Sequence, residues 1–242
     1  MRSNILFVTG TDTGVGKTSV CCALVRVLIE QGINVHVIKP IETGCLTNES
    51  GLLIPSDGEK LWEASSKVQS LEEVVPYRFK DPVAPQVAAE VSGEEFDISE
   101  LIEKINVAAS NCDLLVVEGA GGLLVPLVGN YTYANLAKDL RMKVLVVIGS
   151  KLGALNHASL TFEVIRSRGL NVLGYVLNDL FAKEQAELGY DLAINTNHNV
   201  IKRIAHSYGF DELASVPYNN NHSEIFLNLT TQVKARFGLE KS

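Results

Sequence analysis

The sequence predicts an α/β fold, a mainly parallel sheet wound with helices on both faces. Short apolar, β-branched runs alternate with longer helical patterns from one end of the chain to the other. Most of the runs are apolar at nearly every position, as strands covered on both faces must be. No internal repeat, low-complexity tract or Pro/Gly-rich linker interrupts the 242 residues, so one domain spanning 1–242 is expected.

In chain order, strands are expected at Ile5–Val8, Ile33–Ile38, Leu114–Val117, Val144–Ile148 and Val172–Leu177, with a shorter one near Ala214–Pro217. Helices are expected near 17–31, 58–67, 98–110, 132–141, 154–168, 197–208 and 222–236. Asp97 with Glu100, and Asn221 with Glu224, have the spacing of an N-cap residue and its capping-box partner. The stretch 42–96, with Pro55, Pro76, Pro82 and Pro85, is the least regular and reads as functional loops around a short helix.

Composition narrows the class of protein. At 46% hydrophobic and 20% charged residues the chain is not disordered. A net charge of −7 argues against a general nucleic-acid binder, which needs a basic face. Any anion it binds must be met by local positive charge. The four cysteines, Cys21, Cys22, Cys45 and Cys112, have the spacing of neither a disulfide framework nor a zinc site. His36, His157, His198, His206 and His222 show no ligand spacing either. The run Ile5–Val8 is too short for a signal peptide, and no stretch approaches the roughly 18 apolar residues of a membrane span. A cytoplasmic protein is expected, with neither membrane nor nucleic acid as partner.

The strongest chemical signal is Gly10-Thr11-Asp12-Thr13-Gly14-Val15-Gly16-Lys17-Thr18, which follows the first strand and opens the first helix. In that context glycines let backbone N–H groups converge on phosphate oxygens at a helix N-terminus. Lys17 then reaches the terminal phosphates, and the Thr18 hydroxyl reaches Mg²⁺. The strict G-x-x-x-x-G-K-[ST] pattern fails, because Thr11 stands at its first glycine and Gly10 lies one residue early. A second element is Leu114–Glu118 followed by Gly119-Ala120-Gly121-Gly122. A carboxylate ending a buried parallel strand points into the crevice where such sheets bind ligands, so Glu118 is a candidate metal ligand. Asp57, read alone, is a helix N-cap before 58–61, a role compatible with others. Lys39, after the second strand and immediately before Pro40, is placed to bring an ammonium to the same crevice.

The loop resembles the deviant phosphate-loop branch that holds partition ATPases and several ATP-dependent ligases. The switch ATPases of that branch carry a lysine where this chain has Asp12. Gly-Thr-Asp-Thr-Gly-Val-Gly-Lys-Thr instead resembles the dethiobiotin synthetase family. So do Lys39-Pro40-Ile41-Glu42-Thr43-Gly44, Ser56-Asp57, Glu118-Gly119-Ala120-Gly121-Gly122, Lys151-Leu152-Gly153-Ala154-Leu155-Asn156-His157 and Asn178. Pro82-Val83-Ala84-Pro85 is similar to that family's substrate loop, less closely.

The resemblance implies a ligase of biotin biosynthesis. It would close a ureido ring on 7,8-diaminopelargonate with CO₂ or bicarbonate, through a carbamate and a carbamic-phosphoric anhydride, giving dethiobiotin, ADP and phosphate. It implies Lys39 and Lys17 as catalytic groups and ATP contacts from Thr13, Gly14, Val15, Gly16, Lys17 and Thr18. Asn178 and Pro217 would contact the adenine. Thr18, Asp57 and Glu118 would hold Mg²⁺, and Thr43 would contact the substrate. Backbone groups of Gly153, Ala154, Leu155 and Asn156 would take the substrate carboxylate across a homodimer interface, and Lys151 is open between a site role and plain solvent exposure. Two alternatives stand beside this reading: a nucleotide-switch ATPase of the partition type, and the synthetase half of a glutamine-dependent amidotransferase.

Overall fold

The structure, a computed structural model, describes residues 3–94, 96–180, 190–218 and 223–239. At its centre is a six-stranded sheet. In chain order its strands are β1 (Ile5–Gly10), β2 (Val35–Ile38), β7 (Leu114–Glu118), β10 (Lys143–Ser150), β11 (Asn171–Asp179) and β12 (Glu212–Val216). They are arranged β12-β11-β10-β1-β7-β2, and every pairing is parallel. The six correspond to the six expected runs, with β10, β11 and β12 longer or shifted by a few residues.

Strand residues alternate between two cores, as a period of two requires. Leu6, Val8, Leu114, Val116, Leu145 and Val147 face α1 (Lys17–Glu30) and α9 (Ser223–Phe237), together with α2 (Ser56–Ala64) and α3 (Leu71–Val74). On the other side Phe7, Leu115, Val117, Val144 and Val146 face a second set of helices. These are α4 (Pro85–Ser92), α5 (Ile98–Ser110), α6 (Tyr133–Asp139), α7 (Ala154–Arg168) and α8 (Tyr190–Tyr208). Burial on both faces is why these strands read as continuous apolar runs.

Three details differ from expectation. The stretch 42–96 holds more order than loops around one helix. It contains α2, α3 and α4, an antiparallel pair β4 (Leu46–Thr47) with β5 (Leu53–Ile54), and a parallel pair of β3 (Ile41–Thr43) with β6 (Tyr77–Phe79). Elements of two to four residues carry too few periods to show in a sequence, and the eight-residue α4 begins inside the Pro82–Pro85 stretch that reads as loop. Asp97 caps α5 by accepting from the Ser99 N–H at 2.7 Å, but Glu100 pairs with Lys104 at 3.0 Å instead of closing a box. A complete capping box forms at Ser70 and Glu73, ahead of α3. The Asn221–Glu224 spacing involves Asn221, which lies outside the described residues. A last short hairpin, β8 (Pro126–Val128) with β9 (Tyr131–Thr132), precedes α6.

The strand order places a crevice. From β1 the chain crosses through α1 to β2 on one side, while from β10 it crosses through α7 to β11 on the other. The adjacent carboxyl ends of β1 and β10 therefore flank a gap that neither crossover fills, the position where open α/β sheets bind ligands.

Candidate active site

At the end of β1 the loop 11–16 is sewn to both neighbouring strands. The Gly10 N–H donates to Gly121 O at 3.3 Å, beyond β7, and the Thr11 N–H donates to Val147 O of β10 at 3.0 Å. Gly16 stands immediately before α1 at φ 90°, the left-handed region that favours glycine. A side chain there would also run into the Asn178 amide, which itself donates to Val15 O at 2.9 Å. The loop is thereby held open-handed over the start of α1, with no side chain capping that helix. Uncapped N–H groups at a helix start are able to meet an anion.

Lys17 is 7% exposed and its ammonium donates to the Asp12 carbonyl at 3.2 Å. Burial holds its pKa below the ordinary lysine value, with Glu118 partly countering. Thr18, one residue on, donates its hydroxyl to Glu118 Oε1 at 2.8 Å. The same carboxylate oxygen accepts from the Lys39 ammonium at 2.8 Å, and Asp57 Oδ2 takes a second bond from that ammonium at 2.9 Å. The ends of β1, β2 and β7 and the first turn of α2 thus converge on one point. Burial alone depresses the Lys39 pKa, but Glu118 and then Asp57 more than reverse this, so Lys39 titrates above a free lysine. Asp57 is opposed by burial, yet Lys39 and then Lys60, 3.3 Å away, hold its carboxyl below the usual range.

Asp57 is not the cap of α2. That helix is preceded by Pro55, and its N-terminal N–H groups at Asp57 and Gly58 donate to Glu42 at 2.9 and 2.8 Å. Glu42, 6% exposed, was given no role by the sequence. Its one visible signal was a carboxylate set among the apolar residues after Lys39-Pro40. By taking the capping task it leaves the Asp57 side chain free to face Lys39.

These groups line a cleft of about 960 Å³. Thr13, Gly14, Gly16, Lys17 and Thr18 border it, with Lys39, Thr43, Asp57 and Glu118, and Pro82–Pro85 closes one side. Val15 is fully buried beneath the loop. Asn178 does not line this cleft but touches the loop through its bond to Val15 O, and Pro217 follows the neighbouring strand, since Asn178 is paired in register with Val216. Gly153–Asn156 lie apart from the cleft, where Gly153 at φ 87° begins α7. Lys151 is not simply in solvent: its ammonium sits 2.7 Å from Asp12 Oδ2.

The residues suit a hard divalent cation. Thr18, Asp57 and Glu118 present only oxygens, and Glu118 Oε2 is buried with no hydrogen-bond partner. Among the described residues no group of three or more His, Cys, Asp or Glu side chains gathers, which is consistent with an ion completed by phosphate oxygens and water.

Comparison with known proteins decides the family. A family model described as an AAA domain matches residues 4–225. A protein of Anaeromyxobacter dehalogenans strain 2CP-1 named ATP-dependent dethiobiotin synthetase is 48% identical over 173 residues, 72% of this chain and 75% of that one. One of the same name from Aquifex aeolicus is 40% identical over 199 residues, covering 82% and 84% of the two chains. The chain belongs to the dethiobiotin synthetase family.

Among solved structures, the hydrogenase maturation factor HypB of Archaeoglobus fulgidus superposes with a TM-score of 0.55 at 11% identity, over 97% of this chain and 91% of that one. That likeness shows the shared phosphate-loop α/β fold. Family membership gives the convergence of Lys17, Thr18, Lys39, Asp57 and Glu118 its chemical frame.

Proposed function

We propose that this chain uses ATP to close a ureido ring on 7,8-diaminopelargonate with CO₂, releasing dethiobiotin, ADP and phosphate. The observation that carries the reading is the cluster at the strand ends. Two buried lysines, a hydroxyl and two carboxylates meet beside a glycine loop, in a chain of the dethiobiotin synthetase family. Phosphoryl transfer depends mostly on positioning and charge neutralisation, and this cluster supplies both.

One amine of the substrate adds to CO₂ and loses a proton, giving a carbamate. Lys39 sits where its ammonium can hold the carbamate oxygens against the γ-phosphate. The carbamate oxygen attacks the γ-phosphorus and ADP leaves, with Lys17 and the loop N–H groups balancing the charge that builds on the phosphates. The second amine then attacks the carbonyl carbon of the mixed anhydride, phosphate leaves and the ring is closed. Thr43, on the cleft wall, would hydrogen-bond the substrate. Mg²⁺ held by Thr18, Asp57 and Glu118 would neutralise phosphate charge when bound. Asn178 and Pro217 would flank the adenine.

The proposal extends to a homodimer in the cytosol. Leu152, in the turn before α7, and Leu160, midway along it, are 67% and 58% exposed, apolar surface near Gly153–Asn156 that a second copy would cover. The substrate carboxylate would then meet that segment of the facing subunit. The four cysteines are all free, as a reducing compartment favours. Among the described residues no helix is long and apolar enough to cross a membrane.

Incubation with 7,8-diaminopelargonate, bicarbonate and Mg-ATP should yield dethiobiotin, detected by mass. ATP turnover that proceeds without diamine and bicarbonate would overturn the reading in favour of a switch ATPase. Glutamine-dependent turnover with a separate glutaminase subunit would overturn it in favour of an amidotransferase. Replacing Glu118 with Gln should raise the Mg²⁺ concentration for half-maximal turnover at least about tenfold, since loss of even outer-shell partners has that effect. An unchanged Mg²⁺ titration would remove Glu118 from the metal site.

A further inference from the structure

Lys151 lies outside the cleft, in the turn between β10 and α7, yet it is tied to the phosphate loop. We propose that Lys151 is a positioning residue for ATP: through Asp12 it sets the shape of the phosphate loop and the resting place of the Lys17 ammonium. The inference rests on the ATP-dependent reading above.

Three bonds meet at Asp12. Its Oδ2 accepts from Lys151 at 2.7 Å, its Oδ1 accepts from the Thr13 N–H at 2.8 Å, and its carbonyl accepts from Lys17 Nζ at 3.2 Å. Turning the Asp12 side chain therefore turns the peptide on which Lys17 rests. Lys151 is itself anchored: its carbonyl accepts from the Asn197 side chain at 3.0 Å and from the Ala154 N–H at 3.1 Å. Asn197 is 3% exposed on α8, so the anchor is a packed helix rather than a loop. A further strand contact, Thr11 N–H to Val147 O, fixes the loop one residue before Asp12. His157 Nδ1 lies 3.9 Å from the same Asp12 oxygen, beyond hydrogen-bond reach. Lys151 is accordingly the hydrogen-bonded cation that orients the carboxylate, which it also holds below the ordinary pKa range and so ionised at neutral pH.

Asp12 and Lys151 side chains are 40% and 29% exposed, so the pair contributes little to global folding. Its effect is geometric, and falls on the donors that meet phosphate.

Calorimetric titration with Mg-ATP, without diamine, tests this independently of ring closure. Lys151→Met should weaken Mg-ATP binding about fivefold, the scale of a lost half-exposed ion pair. Asp12→Ala should weaken it at least as much, the double variant no more than Asp12→Ala alone, and Lys151→Arg should restore most of the affinity. In turnover, KM for ATP should rise while KM for the diamine stays unchanged, with the melting temperature within a degree or two. Wild-type ATP affinity in Lys151→Met overturns the proposal, because the contact is then only a surface ion pair. So do unchanged binding in Asp12→Ala, which makes Lys151 a direct phosphate contact, and effects that add in the double variant. Failure of the wild-type protein to make dethiobiotin would sink the ring-closure reading and leave this comparison of ATP affinities intact.

Discussion

Lys17→Ala is expected to lower dethiobiotin formation by about a hundred- to a thousandfold, the range seen when a preorganised donor is removed from a developing anion. The structure gives the reason. Lys17 is buried beside the loop, and the hydrogen bond of its ammonium to the Asp12 carbonyl, at 3.2 Å, is one that phosphate can displace. Burial has already lowered its pKa, so the free protein carries a desolvated ammonium that a bound phosphate would offset. A lysine with a lowered folded pKa disfavours the folded state below that pKa, so its removal should leave stability unchanged or slightly raised. Alanine also suits the first turn of α1. The expected pair of results is therefore lost turnover with an undiminished melting temperature. Retained product formation would remove Lys17 from the phosphate site, and a collapsed melting curve would mean the burial argument is wrong.

Much of the fold was open to reading because the strands are covered on both faces. Leu114–Val117 and Val144–Ile148 are apolar at every position for that reason, and the sheet confirms both. The phosphate loop was legible through its place between strand and helix, although its first glycine is displaced. What stayed hidden depends on contacts between distant positions. Lys39, Asp57 and Glu118 were all expected at one crevice, but that the Lys39 ammonium bonds both carboxylates directly, across 18 and 79 residues, has no local signal. Glu42 caps α2 from 15 and 16 residues upstream, so the N-cap reading of Asp57 followed naturally from spacing and was wrong. Helix α8 begins at Tyr190, seven residues before the expected start at 197, although Tyr190, Leu192, Ala193 and Ile194 give that stretch apolar positions. Residues 42–96 fold into small elements whose order comes from packing against the sheet.

Replacing Lys39 with Gln separates chemistry from binding and from folding, and each part has a sign. Turnover should fall about a hundredfold or more, since the group proposed to face the carbamate and γ-phosphate is gone, while Mg-ATP affinity should change far less. Unchanged turnover would exclude Lys39 from the site. Stability should also change, because Lys39 is 5% exposed and Glu118 is 1% exposed. Removing one partner of a buried pair typically costs about 3–5 kcal/mol, lessened here by the Thr18 hydroxyl that still donates to Glu118. In the wild type, Lys39 titrates above a free lysine, so its contribution persists through neutral pH and is lost only as pH rises through that higher value. Asp57 titrates below a free carboxyl, so its contribution appears above the unfolded pKa and is lost as pH falls through the folded one. In the variant the carboxylates face each other without the ammonium, and the folded state favours a proton on one of them. Its stability relative to wild type should therefore recover as pH drops from 8 toward 5, and Mg²⁺ should restore part of the loss at pH 8. Thermal melts at the two pH values, with and without Mg²⁺, measure both effects. A deficit that is independent of pH and of Mg²⁺ would show that Lys39 acts by packing alone, and that Asp57 and Glu118 do not form one charge cluster around it.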